Sequence, residues 1–254
     1  MTIISKSSVK YLSLAALALL AASIAPTSAS ALTTQNYNSK GTVTFTAGTD
    51  TTGPVDPQDP ETPVVPVEPP GVTPGGPTMP DNGLTIVYAS SFDFGSHTVS
   101  NQAEVYNAAA QKLDDGTTRT NYIQVADNRG TFSGWNVKVT MTNFTTTNAA
   151  LIANGHGTLT GAKVTLGDAE IQGDGTANPA DRFAATTTLT PGVQSATILG
   201  ATSGHGSGNN LLDFGGKAGA TKDTAVKLSV PDGVAGAAKY TADFTWILDD
   251  TPAN

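Results

Sequence analysis

The chain has 254 residues, a formal charge of -8 at a sequence pI near 4.6, and no cysteine. Without cysteine there is no disulfide framework, no thiolate metal site, no cysteine nucleophile and no lipid-modified cysteine. Only Arg119, Arg129 and Arg182 supply guanidinium groups, so there is no basic face for a nucleic-acid backbone or an anionic membrane surface.

In chain order, the first feature is Lys6 and Lys10 ahead of an apolar run from Leu12 to Ala22, closed by Ala29-Ser30-Ala31. The run is too short to span a bilayer, and the small residues suit a leader peptidase, so residues 1–31 read as a secretory signal peptide. Removing Lys6 and Lys10 takes the formal charge from -8 to -10. Residues 32–50 hold a short alternation in which Val43 and Phe45 share one face and Thr42, Thr44 and Thr46 the other, the pattern of a leading strand.

Residues 51–83 are a low-complexity linker with prolines at 54, 57, 60, 63, 66 and 69 and again at 74, 77 and 80. Proline at every third position fixes φ and removes donors, so the segment is expected to form an exposed polyproline II tether and to stay out of any sheet. At roughly 3.1 Å per residue, Pro54 to Pro80 would extend about 80 Å.

Residues 84–254 are expected to form one all-β domain, an antiparallel sandwich or barrel. Short alternating runs are separated by turn residues: LTIVYA (84–89), TNYIQVA (120–126), GWNVKVTM (134–141), TLTGAKVTL (158–166), TAVKLSV (224–230) and YTADFTWIL (240–248). One short helix is expected in AEVYNAAAQKL (103–113), and YIQVADNRGTFSGWNVKVTM (122–141) is expected to be a hairpin with Asp127 to Gly130 at its tip. Strand parity puts Trp135, Val137, Val139 and Met141 on one face, and Tyr240, Ala242, Phe244, Trp246 and Leu248 on another. Both tryptophans are therefore expected to point inward.

Gly134-Trp135-Asn136-Val137 and Thr245-Trp246-Ile247-Leu248, in that order with the second near the C-terminus, resemble the paired signature motifs of the WxL domain of low-GC Gram-positive bacteria. Phe92-Asp93-Phe94-Gly95, Asp127-Asn128-Arg129-Gly130, Leu212-Asp213-Phe214-Gly215, the closing Leu-Asp-Asp-Thr-Pro, the leading strand and the Pro-Val-Asp-Pro repeat extend the likeness over the mature chain. The first motif departs from the pattern, with Val137 in place of leucine. The resemblance implies a secreted, non-catalytic protein held non-covalently on peptidoglycan. It also implies assemblies with other WxL proteins and with WxL-interacting membrane-anchored partners. The residues agree: no Leu-Pro-x-Thr-Gly signal or apolar tail is present to supply covalent anchoring or a membrane span.

Trp135 and Trp246 could stack on sugars, but the parity shared with Val137 and Leu248 favours core anchors. On that reading Trp246→Ala costs roughly 3–5 kcal/mol. Phe94, Gly95, Phe214 and Gly215 are the turn-motif residues that the resemblance implies. The binding surface then falls to the loops 91–97 and 203–210, or to an exposed aromatic such as Tyr122. His97, His156 and His205 have no metal-binding spacing, and Asp114-Asp115 and Asp249-Asp250 turn to opposite faces in a strand, so no metal, cofactor or catalytic group is assigned. The alternative reading is a subunit of a surface adhesive or fibre-like assembly, with the leading strand on a neighbour's sheet edge.

Overall fold

The computed structural model describes residues 35–48, 53–73, 76, 83–173 and 178–254. The expected signal peptide lies outside the described residues. The chain divides into two units, Met1–Thr44 and Phe45–Asn254. In the first, residues 35–44 are exposed and carry no strand pairing. The leading strand is thus not formed within the described residues: Val43 is 75% exposed, and Phe45, in the second unit, 88%. A single alternating run satisfies none of its own backbone groups, and it becomes a strand only beside another edge.

Among the described residues of the second unit every strand pairing is antiparallel, and helical turns occur only at Ala149–Ala153 and Lys217–Gly219. Its strands are β1 (Val55–Asp56), β2 (Asp59–Pro63), β3 (Pro66–Val67), β4 (Leu84–Ala89), β5 (Glu104–Asn107), β6 (Gln111–Leu113), β7 (Thr118–Arg119), β8 (Asn121–Asp127) and β9 (Trp135–Met141). They continue with β10 (Lys163–Leu166), β11 (Ala169–Gly173), β12 (Arg182–Phe183), β13 (Thr187–Leu189), β14 (Leu199–Ala201), β15 (Gly208–Phe214), β16 (Val226–Val230) and β17 (Phe244–Asp249). Three four-stranded sheets, in the orders β13-β10-β16-β5, β11-β15-β8-β4 and β12-β14-β9-β17, form a barrel-like arrangement. They enclose one core to which the first contributes Val164, Leu166 and Leu228, the second Ile123, Val125 and Leu212, and the third Trp135, Val137 and Val139. Two-residue alternation explains this, because each sheet turns one parity inward.

Two expectations about local structure are corrected. The helix expected in 103–113 is instead β5 and β6, joined through the buried Ala108 and Ala110. Here a free edge of β16 and the Gln111 amide, which donates to Val67 O at 3.0 Å, outweigh the helix propensity of alanine. The expected 122–141 hairpin is an arch between sheets, since β8 pairs with β15 and β4 whereas β9 pairs with β14 and β17. Asp127 makes the arch: its carboxylate accepts from Arg129 N at 3.1 Å, Nε at 2.9 Å and Nη2 at 2.8 Å, and Arg129 Nη2 also donates to Gly134 O at 2.9 Å.

The largest departure concerns the proline-rich segment. It was expected to stay out of any sheet, yet β1 pairs with β2, and β3 pairs with β6. Both β2 and β3 are edge strands, where a missing donor costs nothing and a fixed φ suits an extended chain. Two of the remaining donors tie the segment down, Val55 N to Gln124 Oε1 at 2.9 Å and Val64 N to Pro54 O at 3.0 Å. Asp56 accepts from Arg119 Nε at 2.5 Å. The segment lies as a strap over the outer face of the β8 sheet, and Val55, Tyr88, Tyr122 and Leu211 form a second buried cluster beneath it. This overturns the reading of Tyr122 as an exposed binding aromatic, for it is 0% exposed.

Candidate functional site

The two tryptophan motifs lie side by side. Strands β9 and β17 pair antiparallel with Leu248 opposite Val137, Trp246 opposite Val139 and Asp249 opposite Asn136. The third residues of the two motifs therefore face one another across the ladder, within direct side-chain contact distance. Valine at the first motif's third position fits, since Val137 is 0% exposed.

Trp135 is fully buried, and its Nε1–H donates to Gly206 O at 3.0 Å. A Cβ on Gly206 would run into the indole nitrogen and the Ala201 methyl, so only glycine closes this contact. The same carbonyl accepts from Asn210 Nδ2 at 2.9 Å, Asn210 Oδ1 accepts from Ala180 N, and Gly206 N donates to Asn178 O at 2.8 Å. Loop 203–210, which its glycines mark as a simple connection, is thus pinned to the first motif. On the other side, Asn136 Nδ2 donates to Thr251 O at 2.9 Å, and Ala253 N donates to Ala201 O at 3.0 Å, drawing the Thr251-Pro252 segment over the strand ends. Gly134 admits that segment, because a Cβ there would meet Ala201 O at 2.5 Å and Pro252 Cβ at 3.0 Å.

Trp246 differs from the expectation. It packs against the core but is only half-buried, as is Leu248, because β17 is the outer strand of its sheet. Parity aims both side chains inward, but no further strand covers their outer side.

Beside the buried indole lies a polar chain. The Asp181 carboxylate accepts from Thr202 N at 2.8 Å, Thr202 Oγ1 at 2.7 Å and Arg182 Nη1 at 3.0 Å, and His205 Nδ1 lies 3.9 Å away. Desolvation pushes the Asp181 carboxyl up, but the two Thr202 donors, with Arg182 and His205, hold it below its ordinary value. All three arginines are paired with carboxylates, Arg119 with Asp56, Arg129 with Asp127 and Arg182 with Asp181.

The sequence model of one protein family, WxL domain surface cell wall-binding, matches residues 32–252. The chain belongs to the WxL family. It is accordingly a surface protein that binds the cell wall, and no helix among the described residues is long and apolar enough to cross a membrane. No curated protein and no solved structure matches the chain.

Within this WxL domain the family turn residues serve packing. Phe92 meets Phe244 edge-on at 5.1 Å, and Phe94 meets Phe144 edge-on at 6.0 Å. Gly95 takes φ +78 and donates its N–H to Asp93 Oδ1 at 2.9 Å, turning the chain between those aromatics and an exposed loop. Phe214 is buried in the core, and Gly215 leaves room for Thr120. The histidines stand in three different settings: His97 stacks on Tyr106 at 4.1 Å, the His156 carbonyl accepts from Tyr240 OH at 2.8 Å, and His205 bonds Thr202. Among the described residues no group of three or more His, Asp or Glu is set to hold a metal ion. Asp249 faces Lys138 at 3.3 Å, and Asp115 accepts from Thr117 N at 2.8 Å in its turn. Asn136 stands inside the first motif and Gly206 and Asn210 inside the loop 203–210, but nothing in the sequence shows that these three join the motif to the loop and to Thr251.

Proposed function

We propose that this chain is an exported, non-catalytic surface protein whose WxL domain attaches non-covalently to peptidoglycan and presents the protein to other WxL proteins and to WxL-interacting membrane-anchored partners. One observation carries the reading: the match to a cell wall-binding family spans residues 32–252, including both motif strands, β9 and β17. The pairing of every arginine with a carboxylate supports recognition of glycan by hydrogen bonds and stacking rather than by charge. The test is co-sedimentation of the folded chain with sacculi stripped of teichoic polymers, with heat-unfolded protein as control. Binding by the folded form alone is expected. Equal sedimentation of both forms, or of neither, would remove peptidoglycan as the ligand.

A second reading is favoured by residues 35–48, where Tyr37, Val43 and Phe45 are exposed and no strand pairing is made among the described residues. An alternating segment of this kind can add to the sheet edge of a neighbouring molecule and build a fibre-like assembly. Removing residues 35–47 is then expected to lower the oligomer size in solution. An unchanged size would eliminate strand exchange.

A further inference from the structure

The arch that leads into the first motif contains Thr131-Phe132-Ser133, set between Gly130 and Gly134. Phe132 has φ +52, one of three non-glycine residues in the left-handed region among the described residues. The other two have local reasons. Asp168 is a short polar residue that tolerates this conformation, and its carbonyl accepts from Gly215 N and Gly216 N; Ala218, at a kink in the Lys217–Gly219 turn, carries only a methyl group. A phenylalanine has neither excuse. For a bulky side chain this backbone is strained, and the strain is not repaid by burial, since Phe132 remains 46% exposed. Glycine would serve the fold better here. The backbone itself is firmly held, with Gly204 N donating to Phe132 O at 2.8 Å.

The chain thus keeps an aromatic ring on the surface despite the strain, on a backbone held by the Gly204 bond three residues before Trp135. Its surroundings are polar. The Thr131 and Ser133 hydroxyls, 3.0 Å apart, flank it in the chain. Through Gly204 it adjoins His205, whose half-exposed imidazole bonds Thr202, and from Thr202 the chain of contacts runs to Asp181 and the half-exposed Arg182. An exposed phenyl on a loop bonded to the 203–205 loop, from which contacts run on to hydroxyl, imidazole and guanidinium groups, suits an amphipathic ring that stacks its C–H face on the phenyl and directs its hydroxyls to polar neighbours.

We infer that Phe132 is the stacking platform of a saccharide site that takes a pyranose ring of the wall glycan, with the 203–205 loop and the Asp181-Arg182 pair as its polar rim. The inference rests on the peptidoglycan reading above, and it goes further by assigning the contact to one ring. Phe132→Gly is the main test, and Phe132→Asn, whose side chain tolerates the same backbone, is the second. Urea unfolding of either variant is expected at or above the wild-type midpoint, because the strain is relieved. Affinity for stripped sacculi is expected to fall roughly tenfold or more, while Phe132→Tyr retains it. Binding within about twofold of wild type by both folded variants would overturn the assignment.

A soluble chito-oligosaccharide titrated into protein carrying fluorinated phenylalanine separates this inference from the reading beneath it. A shift confined to the Phe132 resonance is expected. If the wild-type chain fails to sediment with sacculi but the resonance shifts, the wall reading fails and the saccharide site stands. No shift at Phe132 sinks the site whatever the sacculi do. If the Phe132 variants keep sugar binding and lose self-association instead, the ring is a protein contact and the inference is wrong.

Discussion

Replacing each motif tryptophan by alanine tests whether burial, rather than motif membership, sets its contribution. Trp135 is 0% exposed and hydrogen-bonded, so Trp135→Ala leaves a cavity in the main core and is expected to cost about 3–5 kcal/mol. The lost bond adds little, because Gly206 O keeps the Asn210 donor at 2.9 Å. Trp246 packs on the same core but is half-buried at a sheet edge, and about half of that range follows, roughly 1.5–2.5 kcal/mol. Against a typical domain stability of about 5–15 kcal/mol, the first substitution removes a large share and the second a tolerable one. Urea unfolding followed by far-UV circular dichroism measures both. The chain has only these two tryptophans, so each variant also reports the emission of the other. Trp135 alone is expected to emit at shorter wavelength than Trp246 alone. A cost for Trp246→Ala equal to or above that for Trp135→Ala would refute the reasoning.

Three further outcomes are expected. Burial, and then the Glu170 charge across the ladder, push the Asp213 carboxyl up to about 7. A carboxyl raised on folding holds its proton in the native state where the unfolded chain has lost it, so the domain is stabilised most near pH 4 and loses about 2–4 kcal/mol as pH rises towards 7. Urea midpoints from pH 5 to 8 should fall, and Asp213→Asn should flatten that slope; an unchanged slope would show that Asp213 ionises freely. Arg119→Ala strands the buried Asp56 carboxylate under the strap and is expected to cost about 3 kcal/mol, with hydrogen exchange rising over residues 53–69 before any other part of the domain. Uniform exchange across the domain would show that the strap does not open by itself. Binding to sacculi is expected to strengthen with added salt or on acidification towards the pI of about 4.6, because an acidic protein and an anionic wall repel at long range; loss of binding in moderate salt would reverse the electrostatic argument.

What the sequence determined alone was periodic. Two-residue alternation identified β4, β8, β9, β10, β16 and β17 and the inward parity of Trp135, Val137 and Val139, because parity is a local property of an extended chain. The two motifs were legible as strings, but their meeting was not. Only pairing across some hundred residues places Leu248 opposite Val137. The Asp127–Arg129 arch looked like a hairpin tip because turn chemistry marks a change of direction without specifying which sheet receives the next strand. Trp246 was read as equivalent to Trp135, since parity says which way a side chain points and nothing about whether a neighbouring strand covers it. The prolines misled for a related reason: their fixed φ forbids a central strand but fits an edge, and whether an edge is available is a tertiary fact, here supplied by β6 and the Gln124 amide. Phe132 carried no pattern at all. Its significance lies in a backbone angle and an exposed ring, and both exist only once Asp127, Gly204 and Gly134 have closed the arch around it.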